Sequence, residues 1–484
     1  MEPTANWCDI GQVTIDILPD DVLLIIFDYY VAEADEDDKY EEWQKLVHVC
    51  QNWRYVVFGS PLRLNLRILC SGGTPVREKL AVWPPLPIVV ADSTYKCGKD
   101  NIMAALGHND RICKIDLLLP SSLLEIVFAA MQKTFVALKH LSLHAGDGAP
   151  AVPDSLLGGS APHLRHLILG YLLFPSPTLR NLLLSAPNLV MLSLQQHDIP
   201  QFEDFSPEAL ATCLSAFTRL KLLRIGIESS QSRPGGRHPI HTRSVLPALT
   251  ELRIIGVSEY LEDLVAHFDA PLLDNLDITI TSWDHIMFDT PQLLQFISRA
   301  PKLKSYDEAR ITFCDIWATI ALSGGDNPGL QWEIPYGRSD WQPSLLVHIC
   351  TSLPQALTLK LEHLYILENE YEYPFWVNDM ENIQRLELFH PFTTVKNLYL
   401  SQEFVPLMQG LVGERVTEVL PNLQGIFLVE DLEKPGFVPE TIQQFIAARQ
   451  LSSCPIAISY WTRQGSALHN LIRRPSYDKW SSTP

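Results

Sequence analysis

The sequence predicts an α/β solenoid. A helical unit at the amino end leads into stacked helix–strand units, with parallel strands on a concave face and helices outside. Three observations predict it: a recurring apolar-x-x-apolar-x-apolar unit, prolines in fixed register ahead of that unit, and polar residues alternating with the leucines inside it.

The unit reads ICKIDL from Ile112, LKHLSL from Leu138, LRHLIL from Leu164, LVMLSL from Leu189, LKLLRI from Leu220, LTELRI from Leu249 and LDNLDI from Leu273. It continues as LEHLYI from Leu361, VKNLYL from Val395 and LQGIFL from Leu423. The first seven starts are 26, 26, 25, 31, 29 and 24 residues apart. That spacing matches the ~20–29-residue period of leucine-rich repeats, with some long copies. Pro162, Pro187, Pro247, Pro271, Pro301 and Pro421 each stand two residues before the first apolar position. LRNLLLSAP, LEDLVAHFDAP and LLQFISRAP have helical apolar spacing, and proline ends a helix because it lacks an N–H and disfavours helix in the residue before it. RLELFHPFTTVKNLYL aligns without gaps to LRNLLLSAPNLVMLSL, so residues 383–392 read as a helix and not as another strand unit.

A doubly wound α/β enzyme would also alternate helices with strands. Its strands are buried on both faces and read as continuous apolar runs. Here Ser142, Ser193, Arg253 and Asp277 stand between the leucines, so one strand face is open. Residues 303–343 break the repeat. ARITFCDIWATIAL and LQWEIP read as strands around the turn SGGDNPG, which predicts an irregular insert or hairpin.

At the amino end, LPDDVLLIIFDYY reads as a helix, with Pro19 in its first position and Asp20 and Asp21 where the helix dipole favours anions. Val22, Leu23, Ile26, Phe27 and Tyr30 fall on one face. EEWQKLVHVCQNWRYVV reads as a second helix, with Trp43, Leu46, Cys50, Trp53 and Val57 on one stripe. The acidic segment AEADEDDK joins the two. On spacing alone this pair is either a docking module or a cap closing the first repeat.

The chain has 484 residues, 46% apolar and 19% charged, which is enough to bury a large core. The net charge is −19, and residues 1–42 alone hold thirteen Asp/Glu against one Lys. That acidity argues against nucleic acid or an anionic membrane as a partner. MEPTANWCDIGQ lacks a basic start and an apolar core, which predicts no secretory signal. Nine cysteines without a CxxC pair, most in apolar segments, read as reduced thiols of a cytoplasmic or nuclear protein. His140, His144, His163 and His166 have ligand-like spacing but are explained by the repeat register, so no metal is expected. No Gly-x-Ser-x-Gly, His-Glu-x-x-His or Gly-x-Gly-x-x-Gly occurs. The sequence thus predicts no catalytic residue, no cofactor and no enzymatic activity.

LPDDVLLIIF followed by LVHVCQNWRYVV resembles the F-box, and the whole chain resembles the large fungal F-box family with degenerate leucine-rich repeats. PFTTVKNLYLS, LVGERVTEVLPNLQGIFL and FIAARQL match tail segments of that family. The resemblance implies an F-box over 14–66, a leucine-rich-repeat-like solenoid over 100–460 with its insert near 304–343, and a tail over 461–484. It also implies a substrate-recognition subunit of an SCF (Skp–cullin–F-box) ubiquitin ligase. Leu18, Pro19, Val22, Leu23, Ile26 and Phe27 would then meet the Skp-type adaptor, with Leu46, Cys50 and Trp53 from the later helix. Through that adaptor the chain would join a cullin ligase.

The open strand face is the candidate surface for a protein target. Its slots hold His140, Ser142, His166, Met191, Arg224, Glu251, Arg253, Asp277, Tyr365 and Tyr399. The set mixes charge with apolar and aromatic groups, as protein-binding surfaces do. The alternative is an interaction scaffold whose amino-terminal helices only cap the repeats.

Overall fold

The computed structural model describes residues 18–32, 40–93, 98–173, 176–196, 207–227, 243–256, 259–280, 291–304, 306–313, 317–324, 328–335, 343–353, 355–368, 382–411, 417–429 and 438–461. The acidic segment 33–39, the first residues of the expected F-box range and the tail from 462 onward lie outside them. The chain folds as a leucine-rich-repeat-like solenoid. Among the described residues, sixteen strands form one sheet, and the helices pack against one another along one side of it.

The LxxLxL units build this sheet directly. Strands His140–Ala145, His166–Gly170, Met191–Gln196, Leu222–Ile227, Glu251–Ile255 and Asn275–Thr279 pair parallel with their neighbours in chain order. Leu141, Leu167, Leu192, Leu223, Leu252 and Leu276 stand opposite one another and are buried. Several crossovers carry a helix that ends before a proline, such as Ser176–Leu184, Glu259–Ala266 and Pro291–Arg299. Helix Asn382–Phe389 confirms the gapless alignment to LRNLLLSAP. Glu262 shows how one repeat fixes the next. Its buried carboxylate accepts from the backbone N–H groups of Gln292 and Leu293, both at 2.9 Å, and caps the following helix.

The solenoid starts earlier than the expected residue 100. Ile68–Cys70 and Ile88–Asp92 already pair in parallel, and the second of them pairs with Ile112–Leu119. Ile88, Val89 and Val90 are all buried, so this strand reads as a continuous apolar run without the alternating signature. The last strand, Ala457–Trp461, pairs parallel with Gly425–Val429 and ends the sheet.

The insert is not a departure from the sheet. ARITFCDIWATIAL is two strands, Glu308–Phe313 and Trp317–Ser323, running antiparallel. Pro328–Pro335 returns antiparallel to the second. The order is reversed in space: Pro328–Pro335 lies parallel beside Asn275–Thr279, and Glu308–Phe313 lies parallel beside His363–Glu368. Ala309, Ile311, Ile320, Leu322, Leu330 and Trp332 keep the two-residue alternation and bury into the common core. The meander thereby adds strands to the sheet without opening it, and helices Pro291–Arg299 and Pro343–Ser352 still lead into and out of it.

The amino-terminal unit has three helices: α1 (Asp20–Ala32), α2 (Glu42–Val47) and α3 (Gln51–Gly59). Pro19 stands before α1, and its carbonyl accepts from Val22 N and Leu23 N at 3.0 Å. The expected single second helix is two. Cys50 leaves helical backbone at φ −156°, ψ 173° and caps α3, its sulfur accepting from Trp53 N at 3.4 Å. This breaks the expected stripe. Trp43, Leu46 and Val57 are buried, while Cys50 and Trp53 are half-buried.

Candidate protein-interaction surfaces

The structure divides the residues expected to meet an adaptor into two sets. Leu23 and Phe27 are 0% exposed. Phe27 packs on Trp53 at 4.7 Å between ring centroids, and Leu18 lies half-buried on the same core. Leu46 is also core. These side chains are therefore unavailable to a partner, because they hold the three helices together. Val22, Ile25, Ile26, Tyr29 and Tyr30 are 36–69% exposed, and Pro19 is exposed beside them. Their spacing is i, i+3, i+4, i+7, i+8, a second apolar face on α1, opposite the buried one. The sequence reading merged both faces because the two sets interleave. Arg63 pairs with Asp28 at 3.3 Å, and Tyr30 donates to Glu42 at 2.6 Å, fixing α1 on its neighbours.

The same three helices close the end of the solenoid. Trp43 Nε1 donates to Arg67 O at 2.9 Å, beside the first strand. The Trp43 ring also meets Trp83 at 5.1 Å and Phe58 at 6.0 Å. The unit is a cap on its inner side and an unpartnered apolar helix face on its outer side.

The ten residues expected on the open face do fall there, in rows set by the strand register. One row runs Lys114, His140, His166, Met191, Leu222, Glu251, Asn275. The next runs Asp116, Ser142, Ile168, Ser193, Arg224, Arg253, Asp277. One expectation fails. Ser142, like Ser193, is 1% exposed. A serine is short, and on a concave sheet the longer side chains of the flanking strands close over it. The other nine are half-buried and reach the surface.

Three regions differ in chemistry. At the amino end, the His140 and His166 rings lie 5.4 Å apart. Burial, reinforced by Lys114, His166 and Arg67, pushes His140 down to about 3. Burial lowers His144 and His166 as well, with Arg165 and Lys114 adding to the effect on His166. All three rings are thus neutral at physiological pH. His144 lies over Gly170, where any Cβ would collide with its Nδ1. In the middle, charge is paired within the face: Arg224 with Glu251 at 3.2 Å and Arg253 with Asp277 at 3.1 Å. Burial raises Asp277 to about 6, Arg253 opposing and Glu333 and Glu251 adding to it.

At the carboxyl end the face is aromatic. Tyr365 stacks on Tyr399 at 4.2 Å, and Tyr399 on Phe427 at 4.6 Å. Trp461 meets Tyr399 edge-on at 5.7 Å, and Arg310 lies 5.3 Å from the Tyr365 ring centre. Phe427, Trp461 and Arg310 are not among the expected ten. Phe427 has the same LxxLxL slot as Tyr399, and Arg310 was hidden by the insert. Among the described residues, no group of three or more His, Cys, Asp or Glu could hold a metal ion. No helix there is long and apolar enough to cross a membrane.

No protein-family model matches the chain, and no curated protein matches it. Solved structures do. The leucine-rich repeat-containing protein LegL7 from Legionella pneumophila matches over 84% of this chain and 96% of its own, at 13% identity and a TM-score of 0.29. A protein from Bacteroides fragilis matches over 76% of this chain and 72% of its own, at 11% identity and a TM-score of 0.24.

Proposed function

We propose that this protein is a substrate-recognition subunit of an SCF-type ubiquitin ligase, cytoplasmic or nuclear. It docks a Skp-type adaptor through α1, joins a cullin ligase through that adaptor, and recruits a protein target on its open sheet face. In this reading the chain performs no catalysis, and ubiquitin transfer belongs to partner subunits. The observation that carries the reading is the outer face of α1. Five large apolar side chains at helical spacing face solvent on a helix whose other apolar face already fills the core. Such a face suits a partner groove that takes an amphipathic helix. The F-box resemblance supplies the partner class.

A second reading, a repeat scaffold with capping helices only, is favoured by the Trp43 indole bonded to Arg67 O. Co-precipitation separates the two readings. Val22→Asp with Ile26→Asp alters only the exposed face, so a folded double variant should lose the adaptor under the first reading. Retention at wild-type level would leave the scaffold.

A further inference from the structure

The residue just ahead of each strand occupies one slot on the rim of the open face, and backbone hydrogen bonds run from slot to slot. Arg165 N donates to Lys139 O at 2.8 Å, Val190 N to Arg165 O at 2.7 Å, and Lys221 N to Val190 O at 2.8 Å. Thr250 N donates to Lys221 O at 2.9 Å and Asp274 N to Thr250 O at 3.1 Å. Lys139, Arg165 and Lys221 are exposed, and none pairs with a carboxylate among the described residues. Farther along, the slot holds Asp274, Asp307 and Glu362, followed by Lys396. There the charges are partly matched, Asp274 by Lys302 at 3.6 Å and Glu362 by Lys396 at 2.6 Å. An unneutralised basic rim on a chain of net charge −19 is thus confined to one half of the sheet edge. Its field is felt locally, because Arg165 adds to burial in holding His166 low.

We propose that this rim binds an acidic peptide, a run of Asp and Glu in the protein target recruited by the open face. The proposal rests on that face being the target surface, and not on the adaptor. The geometry fits an extended chain. Lys139 and Arg165 are one strand apart, roughly 5 Å, and Lys221 is two strands farther, roughly 10 Å. Carboxylates at alternate residues of an extended peptide recur about every 6.6 Å, so positions i, i+2 and i+4 span the three cations. The acidic stretch of the slot repels the same peptide and fixes where it stops.

The test uses the full chain and a fluorescein-labelled (Asp-Glu)5 peptide, read by fluorescence anisotropy. Binding should be saturable at about 50 mM salt and weaken at least tenfold by about 300 mM. The variant Lys139→Gln, Arg165→Gln, Lys221→Gln should bind at least tenfold more weakly with an unchanged melting curve. Lys302→Gln with Lys396→Gln, which removes cations already paired, should bind as wild type. No binding by the wild type overturns the proposal. So does an unaffected rim variant, an equal loss in the paired-cation control, or tighter binding of a single-stranded RNA decamer. Adaptor co-precipitation on the same rim variant stays at wild-type level. Loss of the adaptor there, with peptide behaviour as expected, would count against the adaptor assignment alone.

Discussion

His140 and Asp277 show how one sheet face shifts two titrating groups in ways that affect stability oppositely. Burial holds His140 neutral down to about pH 3, against 6.5 for an ordinary histidine. Between those values the unfolded chain takes up a proton that the folded one refuses, so stability falls as pH drops through that window. Asp277, raised to about 6 from 3.8, keeps a proton in the folded state that the unfolded state has lost. Its contribution therefore declines as pH rises from about 3.8 to about 6. His140→Gln removes the first effect alone, since His144, His166 and Asp277 remain. Urea midpoints at pH 7.5 and 5 should show a smaller acid loss in the variant, by on the order of 1 kcal/mol. An identical loss would mean His140 is solvated.

The helices explain where an apolar pattern misleads. The spacing of Val22, Leu23, Ile26, Phe27 and Tyr30 suggests one face, but α1 has two, and only packing on Trp53 reveals which residues turn inward. Leu23→Ala with Phe27→Ala should therefore lower stability by about 4–8 kcal/mol. Val22→Asp with Ile26→Asp should shift it by less than about 1 kcal/mol. Thermal melts of the two variants decide the assignment of faces. Glu262 makes a parallel case between repeats. It was unreadable in sequence, because its partners lie some thirty residues on and are backbone N–H groups. Glu262→Ala leaves those donors unpaired and should cost about 1–2 kcal/mol, measurable by urea unfolding. A loss no larger than that of an exposed Glu→Ala would mean water caps that helix.

At the scale of the molecule, the strands that were legible are those with polar residues between regularly spaced leucines, several of them with a proline ahead. Ile88–Asp92 was missed because both its faces are covered, and Ile68–Cys70 because its unit is incomplete. The meander was visible as strands but not as a sheet insertion, since strand order depends on pairing partners that no local pattern encodes. The open face was legible slot by slot. Its division into neutral histidines, paired charges and an aromatic ladder emerged only from the register. These features leave two distinct surfaces on the chain: the outer face of α1 and the open face of the sheet.

The independence of those surfaces is measured by quantitative mass spectrometry of co-purified proteins from cells expressing two folded variants. Val22→Asp with Ile26→Asp should lose the Skp-type adaptor at least tenfold and keep the remaining interactors. Tyr365→Ala with Tyr399→Ala, which dismantles the aromatic ladder, should keep the adaptor and lose those interactors. Both variants retaining the adaptor, or both losing the same proteins, would contradict the account.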